Sequence, residues 1–310
     1  MKIMFMGTPE ISATCLSRLV SDGHEVTSVV TGEDKPRGRK MVMTPTATKA
    51  RALELGIPVY TPRTLRDGSF DRLLKELSPD LIAVVAYGKI LPKSVIDFPK
   101  YGCINLHVSL LPRYRGAAPM QRAIIEGESE TGVTVMYMNE GLDTGDIIAV
   151  ERFPIGPLDD FEAVHDRSAD IGSRLLSETL REIEAGRAKR TPQDDSLATY
   201  AAKIEKADCK LDFTFSAKKL DYLIRGVTPI PGAFAYLNGK MLKINKAAPT
   251  DAKGECGRVI ALDGSGDGSF TVACGEGALK VTSVIPEGKG KMSAGDFIRG
   301  RKINLGDILE

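Results

Sequence analysis

An amide and an imidazole two residues apart, inside an apolar run, are the strongest chemical signal in this chain. The run reads Cys103-Ile104-Asn105-Leu106-His107-Val108-Ser109-Leu110-Leu111-Pro112. Its apolar residues suit a buried strand, and such a strand has no structural use for Asn105 or His107. Alternate side chains of a strand project from one face, so the two polar groups leave the strand end together. Pro112 then turns the chain into a tight loop. A carboxylate within reach would complete a set suited to acyl transfer. An amide donates to a developing oxyanion without titrating, and an imidazole exchanges protons at cellular pH. A carboxylate orients the imidazole and favours its cation. Gly141-Leu142-Asp143-Thr144-Gly145-Asp146 supplies the candidate. Its two glycines allow close backbone approach. Asp143 takes the inward position in this reading, and Asp146 is a plain turn residue. Either His107 takes the proton of an attacking amine, or as imidazolium it helps Asn105 hold the oxyanion. His24 and His165 have no such neighbours and read as structural.

The frame that must position these groups is legible as alternation. Strand patterns cover residues 2–6, 24–31, 58–60, 81–86, 102–106, 133–138 and 147–153. Helical spacing covers 10–21, 46–55, 70–77, 119–126 and 161–185. Alternation with short connections predicts an α/β fold, a Rossmann-like doubly wound and mainly parallel sheet. Ligands of such sheets sit beyond the strand carboxyl ends, near a switch in strand order. The pattern changes near residue 186. A polar stretch with Pro192 and Asp194-Asp195 reads as a linker over 186–206. Residues 217–225 read as a helix, followed by short strand patterns at 233–237, 241–247, 257–262, 269–274 and 279–284. Gly- and Asp-rich turns between them predict a small β-barrel. The expected domains are therefore 1–185 and 207–310, joined by that linker.

Composition narrows the function classes. A chain of 310 residues suggests about two domains. No apolar run nears the roughly 18 residues of a membrane span, and residues 1–7 read as a first strand rather than a signal peptide. A cytoplasmic, monomeric protein with no membrane partner is expected. The five cysteines are scattered with no CxxC pair, which argues against a disulfide framework and a zinc knuckle; no metal is expected. Gly7-Thr8-Pro9 follows the first strand but lacks the GxGxxG fingerprint. Pro9 suits the first turn of a helix, and a nicotinamide dehydrogenase is disfavoured. The part after position 205 holds 16 basic and 12 acidic residues, against 26 and 29 before it. A mildly basic second domain fits a polyanionic partner. Lys35-Pro36-Arg37-Gly38-Arg39-Lys40 adds four cations in six residues, an arm suited to phosphate contact. Arg113 and Arg115 place two more cations beside the presumed cleft.

Taken together, these residues resemble the methionyl-tRNA formyltransferase family over nearly the whole chain. The resemblance rests on Met6-Gly7-Thr8-Pro9-Glu10, the basic loop, Val85-Ala86-Tyr87-Gly88-Lys89-Ile90-Leu91-Pro92, the Asn105–Pro119 run and Gly141–Asp146. It implies 10-formyltetrahydrofolate as formyl donor and the α-amine of methionine on initiator tRNA as acceptor. It implies that Asn105, His107 and Asp143 are catalytic. Ser109, Leu110, Leu111 and Pro112 match the folate-binding segment, and Ala86, Tyr87 and Gly88 line the same pocket. Lys35, Arg37, Arg39 and Lys40 match a loop that enters the tRNA acceptor end, and the second domain matches an OB-fold-like tRNA-binding barrel. Two departures bear on the loop's tRNA contacts: Lys40 stands where the family usually has Gly, and Thr46-Ala47-Thr48-Lys49 replaces a Pro-rich end. The alternative is a formyltransferase for a small amine, an amino-sugar nucleotide or glycinamide ribonucleotide. The basic loop and second domain argue against it.

Overall fold

The computed structural model describes residues 1–38 and 41–310, with Arg37 described in its backbone alone. The chain forms two compact units. The first comprises residues 1–119, 130–153 and 165–201, and the second comprises 120–129, 154–164 and 202–310.

In chain order the elements up to residue 201 are β1 (Ile3–Gly7), α1 (Glu10–Ser21), β2 (Val26–Val30), β3 (Lys35–Arg37), β4 (Val42–Thr44), α2 (Ala47–Glu54), β5 (Val59–Tyr60), α3 (Ser69–Leu77), β6 (Leu81–Val85), α4 (Lys93–Ile96), β7 (Cys103–His107), β8 (Arg115–Gly116), α5 (Pro119–Ile125), β9 (Glu130–Tyr137), β10 (Ile147–Pro154), α6 (Phe161–Glu184) and β11 (Tyr200–Ala201). Seven strands form one sheet in the order β10-β9-β7-β6-β1-β2-β5. β5, β2, β1, β6 and β7 run parallel, and β9 is antiparallel to β7. The chain starts in the middle, runs outward through β2 and β5, and returns to β6 on the other side. The switch in strand order thus falls between β1 and β6, one strand from β7.

β1 and β6 are buried along their whole length. Strands covered on both faces need no polar alternation, which explains their continuous apolar runs. The turn after β1 is filled by protein. A Cβ at Gly7 would lie 2.6 Å from Ser12 Cβ. The Ser12 hydroxyl donates to the Val85 carbonyl at 2.5 Å and accepts from the Thr8 N–H at 3.2 Å. Glycine is needed there for close packing, in keeping with the structural reading of Gly7-Thr8-Pro9.

The predicted elements are present, with ends shifted by up to three residues. The pairs β3–β4 and β8–β11 and the helix α4 were not expected, since two to four residues leave no readable period. The stretch expected to be a linker is tied down as far as Ala201. Thr191 and Ile147 exchange backbone hydrogen bonds at 2.8 and 2.9 Å, and β11 lies parallel to β8.

The second unit adds α7 (Ala217–Val227), β12 (Phe234–Leu237), β13 (Lys240–Thr250), β14 (Val259–Asp263), β15 (Ser269–Ala273), β16 (Ala278–Pro286), β17 (Met292–Ser293) and α8 (Ala294–Arg299). The sheet order is β12-β13-β16-β15-β14, with β17 beside β16, and the strands pair antiparallel. The last residues of the chain bond to both edges. Tyr236 and Glu310 exchange backbone bonds at 2.7 and 2.9 Å, while Leu309 donates to Gly257 and Val259 donates to Asp307, each at 2.8 Å. These bonds tie the start of β14 and the end of β12 to one C-terminal segment. Leu220, Ile224, Phe234, Ile244, Phe270, Val281 and Phe297 belong to the core inside.

Candidate active site

β7 lies between β6 and β9, with Asn105 opposite Val84 on one side and Met136 on the other. Ile104 and Leu106 are buried on one face. Asn105 and His107 therefore share the opposite face, as their spacing predicts. His107 is 6% exposed and Asn105 is partly exposed. The His107 ring is fixed by its Nε2, 2.9 Å from the Tyr114 carbonyl oxygen. A carbonyl only accepts, so Nε2 carries a proton. The other ring nitrogen, Nδ1, faces Asp143 Oδ2 at 3.7 Å. The structure thus brings Asp143 to His107 across a gap of 36 residues in sequence.

Asp143 sits in the left-handed region at φ +54°, which aspartate tolerates better than most residues. Its carboxylate accepts the Gly116 N–H at 2.8 Å. The turn around it is braced by Asn139 Oδ1, which accepts from the Gly141 N–H at 3.0 Å and the Thr144 hydroxyl at 2.8 Å. At Gly145 the backbone lies against the Tyr137 carbonyl with no room for a Cβ. Asp146 points elsewhere and pairs with Arg190 at 3.1 Å, in agreement with its reading as a turn residue.

The loop after β7 is held by Ser109, which is fully buried. Its hydroxyl donates to the Arg113 carbonyl at 2.7 Å, and its carbonyl accepts from Thr134 Oγ1 at 2.7 Å. Leu111 is buried, while Leu110 and Pro112 are partly exposed. At the end of β6, Ala86 and Gly88 are both exposed with positive φ, +46° and +83°. Tyr87 between them turns inward to a core that includes Met4, Met6, Phe70 and Val95, and burial pushes its hydroxyl up to about 12. The exposed surface of this segment therefore comes from Ala86 and Gly88.

The two cations after Pro112 have different fates. Arg113 is exposed, with its guanidinium 5.2 Å from the Tyr114 ring centre. Arg115 is 2% exposed and is bound internally. Its Nε and Nη2 donate to Gln193 Oε1 at 3.1 and 2.8 Å, and Nη2 also meets Asp195 Oδ1 at 2.7 Å. Gln193 in turn donates from Nε2 to the Asp143 and Gly145 carbonyls at 2.9 and 2.8 Å. Sequence reading missed Gln193, because one glutamine in a polar stretch carries no signal until the chain is folded. Lys35 is exposed on β3. Arg39 and Lys40 lie outside the described residues, as does the side chain of Arg37.

Comparison with known proteins decides the family. Residues 1–180 match the model of the formyl transferase family, and residues 203–302 match the formyl transferase C-terminal domain. The chain is 45% identical over 309 residues to the methionyl-tRNA formyltransferase of Geotalea uraniireducens, covering 100% of this chain and 98% of that protein. It is 44% identical over 316 residues to that of Lachnospira eligens, covering 100% and 99%. The chain belongs to the methionyl-tRNA formyltransferase family. It is therefore a formyltransferase, as the Asn105–Pro119 run led us to expect. Among solved structures, a variant of HypX from Aquifex aeolicus aligns with a TM-score of 0.67 at 21% identity, over 97% of this chain. This chain spans 49% of that one. An N-formyltransferase from Helicobacter canadensis, in complex with folinic acid and dTDP-3-aminofucose, gives 0.67 at 18% identity over 91% of this chain and 98% of its own. Both likenesses support the fold: a formyltransferase catalytic sheet with a second, mainly antiparallel unit. Among the described residues no cluster of His, Cys, Asp or Glu could hold a metal ion.

Proposed function

We propose that the chain transfers the formyl group of 10-formyltetrahydrofolate to the α-amine of methionine on initiator tRNA, giving N-formylmethionyl-tRNA for translation initiation. The observation that carries this reading is the meeting of His107 and Asp143 at 3.7 Å, beside Asn105 on the same strand face. Full-length likeness to methionyl-tRNA formyltransferases supports the acceptor. The folate supplies an activated formyl group. The segment from Ser109 to Pro112 and the exposed Ala86 and Gly88 flank the strand ends where it would be held, with Tyr87 supporting them from within.

The residues divide the work by their chemistry. Asn105 donates to the formyl oxygen as negative charge builds on it, a contribution worth about 10²–10³ in rate. His107 takes the amine proton at Nδ1, because Nε2–H is already committed to the Tyr114 carbonyl. Asp143 stabilises the imidazolium so formed and fixes its direction; as the formyl carbon's bond to N10 breaks, the imidazolium returns the proton to N10 of the departing tetrahydrofolate. Acid–base help of this kind is worth roughly 10²–10⁴. In this reading the first unit, which reaches Ala201, is the catalytic part, and the second, which holds residues 202–310, is an OB-fold-like domain that binds tRNA. The cations Lys35, Arg37, Arg39 and Lys40 make phosphate contacts. The protein works as a cytoplasmic monomer.

The test is transfer of labelled formyl from 10-formyltetrahydrofolate to methionyl-tRNA, comparing initiator with elongator. Formylation of the initiator alone is expected. Formyl transfer to a nucleotide-linked amino sugar, with none to charged tRNA, would overturn the acceptor and favour the small-amine alternative.

A further inference from the structure

We infer that Gln193 is a positioning residue, which holds Asp143 against His107 by bonding its carbonyl directly and by fixing Arg115, whose neighbour Gly116 bonds its carboxylate. The inference rests on the catalytic reading of Asp143 given above. Five hydrogen bonds form a closed loop. Gln193 Nε2 donates to the carbonyls of Asp143 and Gly145 at 2.9 and 2.8 Å. Its Oε1 accepts from Arg115 Nε and Nη2 at 3.1 and 2.8 Å. Arg115 is followed by Gly116, whose N–H returns to the Asp143 carboxylate at 2.8 Å. The loop therefore leaves Asp143 by its main chain and returns to it by its side chain.

The chemistry of the position selects glutamine. One side offers two carbonyl oxygens, which only accept, and the other offers a guanidinium, which only donates. A primary amide is the side chain that donates twice at one end and accepts twice at the other. Only one orientation of that amide satisfies all four bonds. A carboxylate would satisfy Arg115 but would set negative charge against two carbonyls. An ammonium would do the reverse. The frame around the amide is firm. Arg115 is 2% exposed, β8 is paired to β11, and Thr191 is bonded to Ile147. The aspartate it grips sits at φ +54°, a conformation that persists where its surroundings over-determine it.

The experiment measures kcat and KM for formyl transfer to methionyl-tRNA in the wild type, Gln193→Ala, Gln193→Glu, Asp143→Ala and the double variant Asp143→Ala/Gln193→Ala. Groups that orient a reacting residue typically matter by about 10–100-fold in activity. Both Gln193 variants are expected to lose that much in kcat, with KM for both substrates within about twofold of wild type. The glutamate variant keeps the side-chain volume and the bonds to Arg115. It carries the test if Gln193→Ala unfolds. In the Asp143→Ala background, Gln193→Ala is expected to cause no further fall, because the residue acts through an aspartate that is no longer there. An equal fold-loss in both backgrounds, or a loss confined to KM, would overturn the positioning role. Wild-type turnover in Asp143→Ala would instead overturn the catalytic reading of Asp143 itself.

Discussion

Replacing Arg115 by Met tests how this unit carries a buried cation beside its site. The guanidinium is 2% exposed and meets two acceptors of different kind, the amide oxygen of Gln193 and the carboxylate of Asp195. The Asp195 side chain is 80% exposed. Its charge is screened by water, and a pair of that kind contributes about 0–1 kcal/mol. Gln193 is less exposed and would lose both donors at once. A buried acceptor left unpaired costs about 1–3 kcal/mol. Methionine is unbranched and fills most of the vacated volume, so the cavity contribution is small. Removing the cation also relieves its desolvation, which offsets part of the lost bonding.

The net expectation for Arg115→Met is a loss of about 2 kcal/mol, set chiefly by the abandoned amide oxygen. For a unit of this size that corresponds to a fall in Tm of about 4–8 °C. Asp195→Ala should cost less than about 1 kcal/mol, because water replaces an exposed carboxylate. Scanning calorimetry of the full chain reads both. A larger loss for Asp195→Ala than for Arg115→Met would refute the reasoning. It would mean that the ion pair, and not the amide, is what keeps the guanidinium buried.

Other expectations follow from the same geometry. His107→Ala should lower kcat by about 10²–10⁴ and Asn105→Ala by about 10²–10³, with unfolding transitions near wild type; wild-type turnover in either would remove its assigned role. KM for methionyl-tRNA should rise steeply with salt if Lys35 and its neighbours contact phosphate, and a salt-independent KM would refute that contact. Native protein treated with a thiol reagent should label Cys256 alone. The other four cysteines are buried, and burial holds the thiols of Cys15 and Cys274 up at about 12 and 11. Rapid labelling of a second thiol before unfolding would contradict that packing.

The sequence exposed those parts of the molecule whose physical cause is local. β1 and β6 are continuous apolar runs because both of their faces are covered, and α1 shows its buried stripe in Ile11, Cys15, Leu16 and Leu19. Asn105 and His107 were legible because strand alternation alone fixes their common face. The role of Asp143 needed a guess about which of two acids turned inward. Asp146 differs from it chiefly in pairing with Arg190 at the surface. Arg115 looked like a solvent-facing or ligand-facing cation, because nothing in Arg113-Tyr114-Arg115-Gly116 announces an acceptor 78 residues away.

Those illegible parts share one property: they join segments that are remote in sequence and irregular in structure. β8 and β11 are two residues each, too short to show a period, and they matter because they bring the chain near residue 193 alongside the one near residue 115. The tie between β12 and β14 in the second sheet is of the same kind, since it is made by the extended residues 307–310 rather than by a patterned strand. Local pattern reports burial, and burial is enough to place a sheet and the side chains that leave it. The approach of Asp143 to His107 is decided by hydrogen bonds whose partners come from four separate stretches: the β7 end, the 114–116 loop, the 139–145 turn and Gln193. A substitution at any one of the four should therefore be felt at the imidazole as well as in the stability of the unit, so turnover reports on these contacts even where the melting curve is little changed.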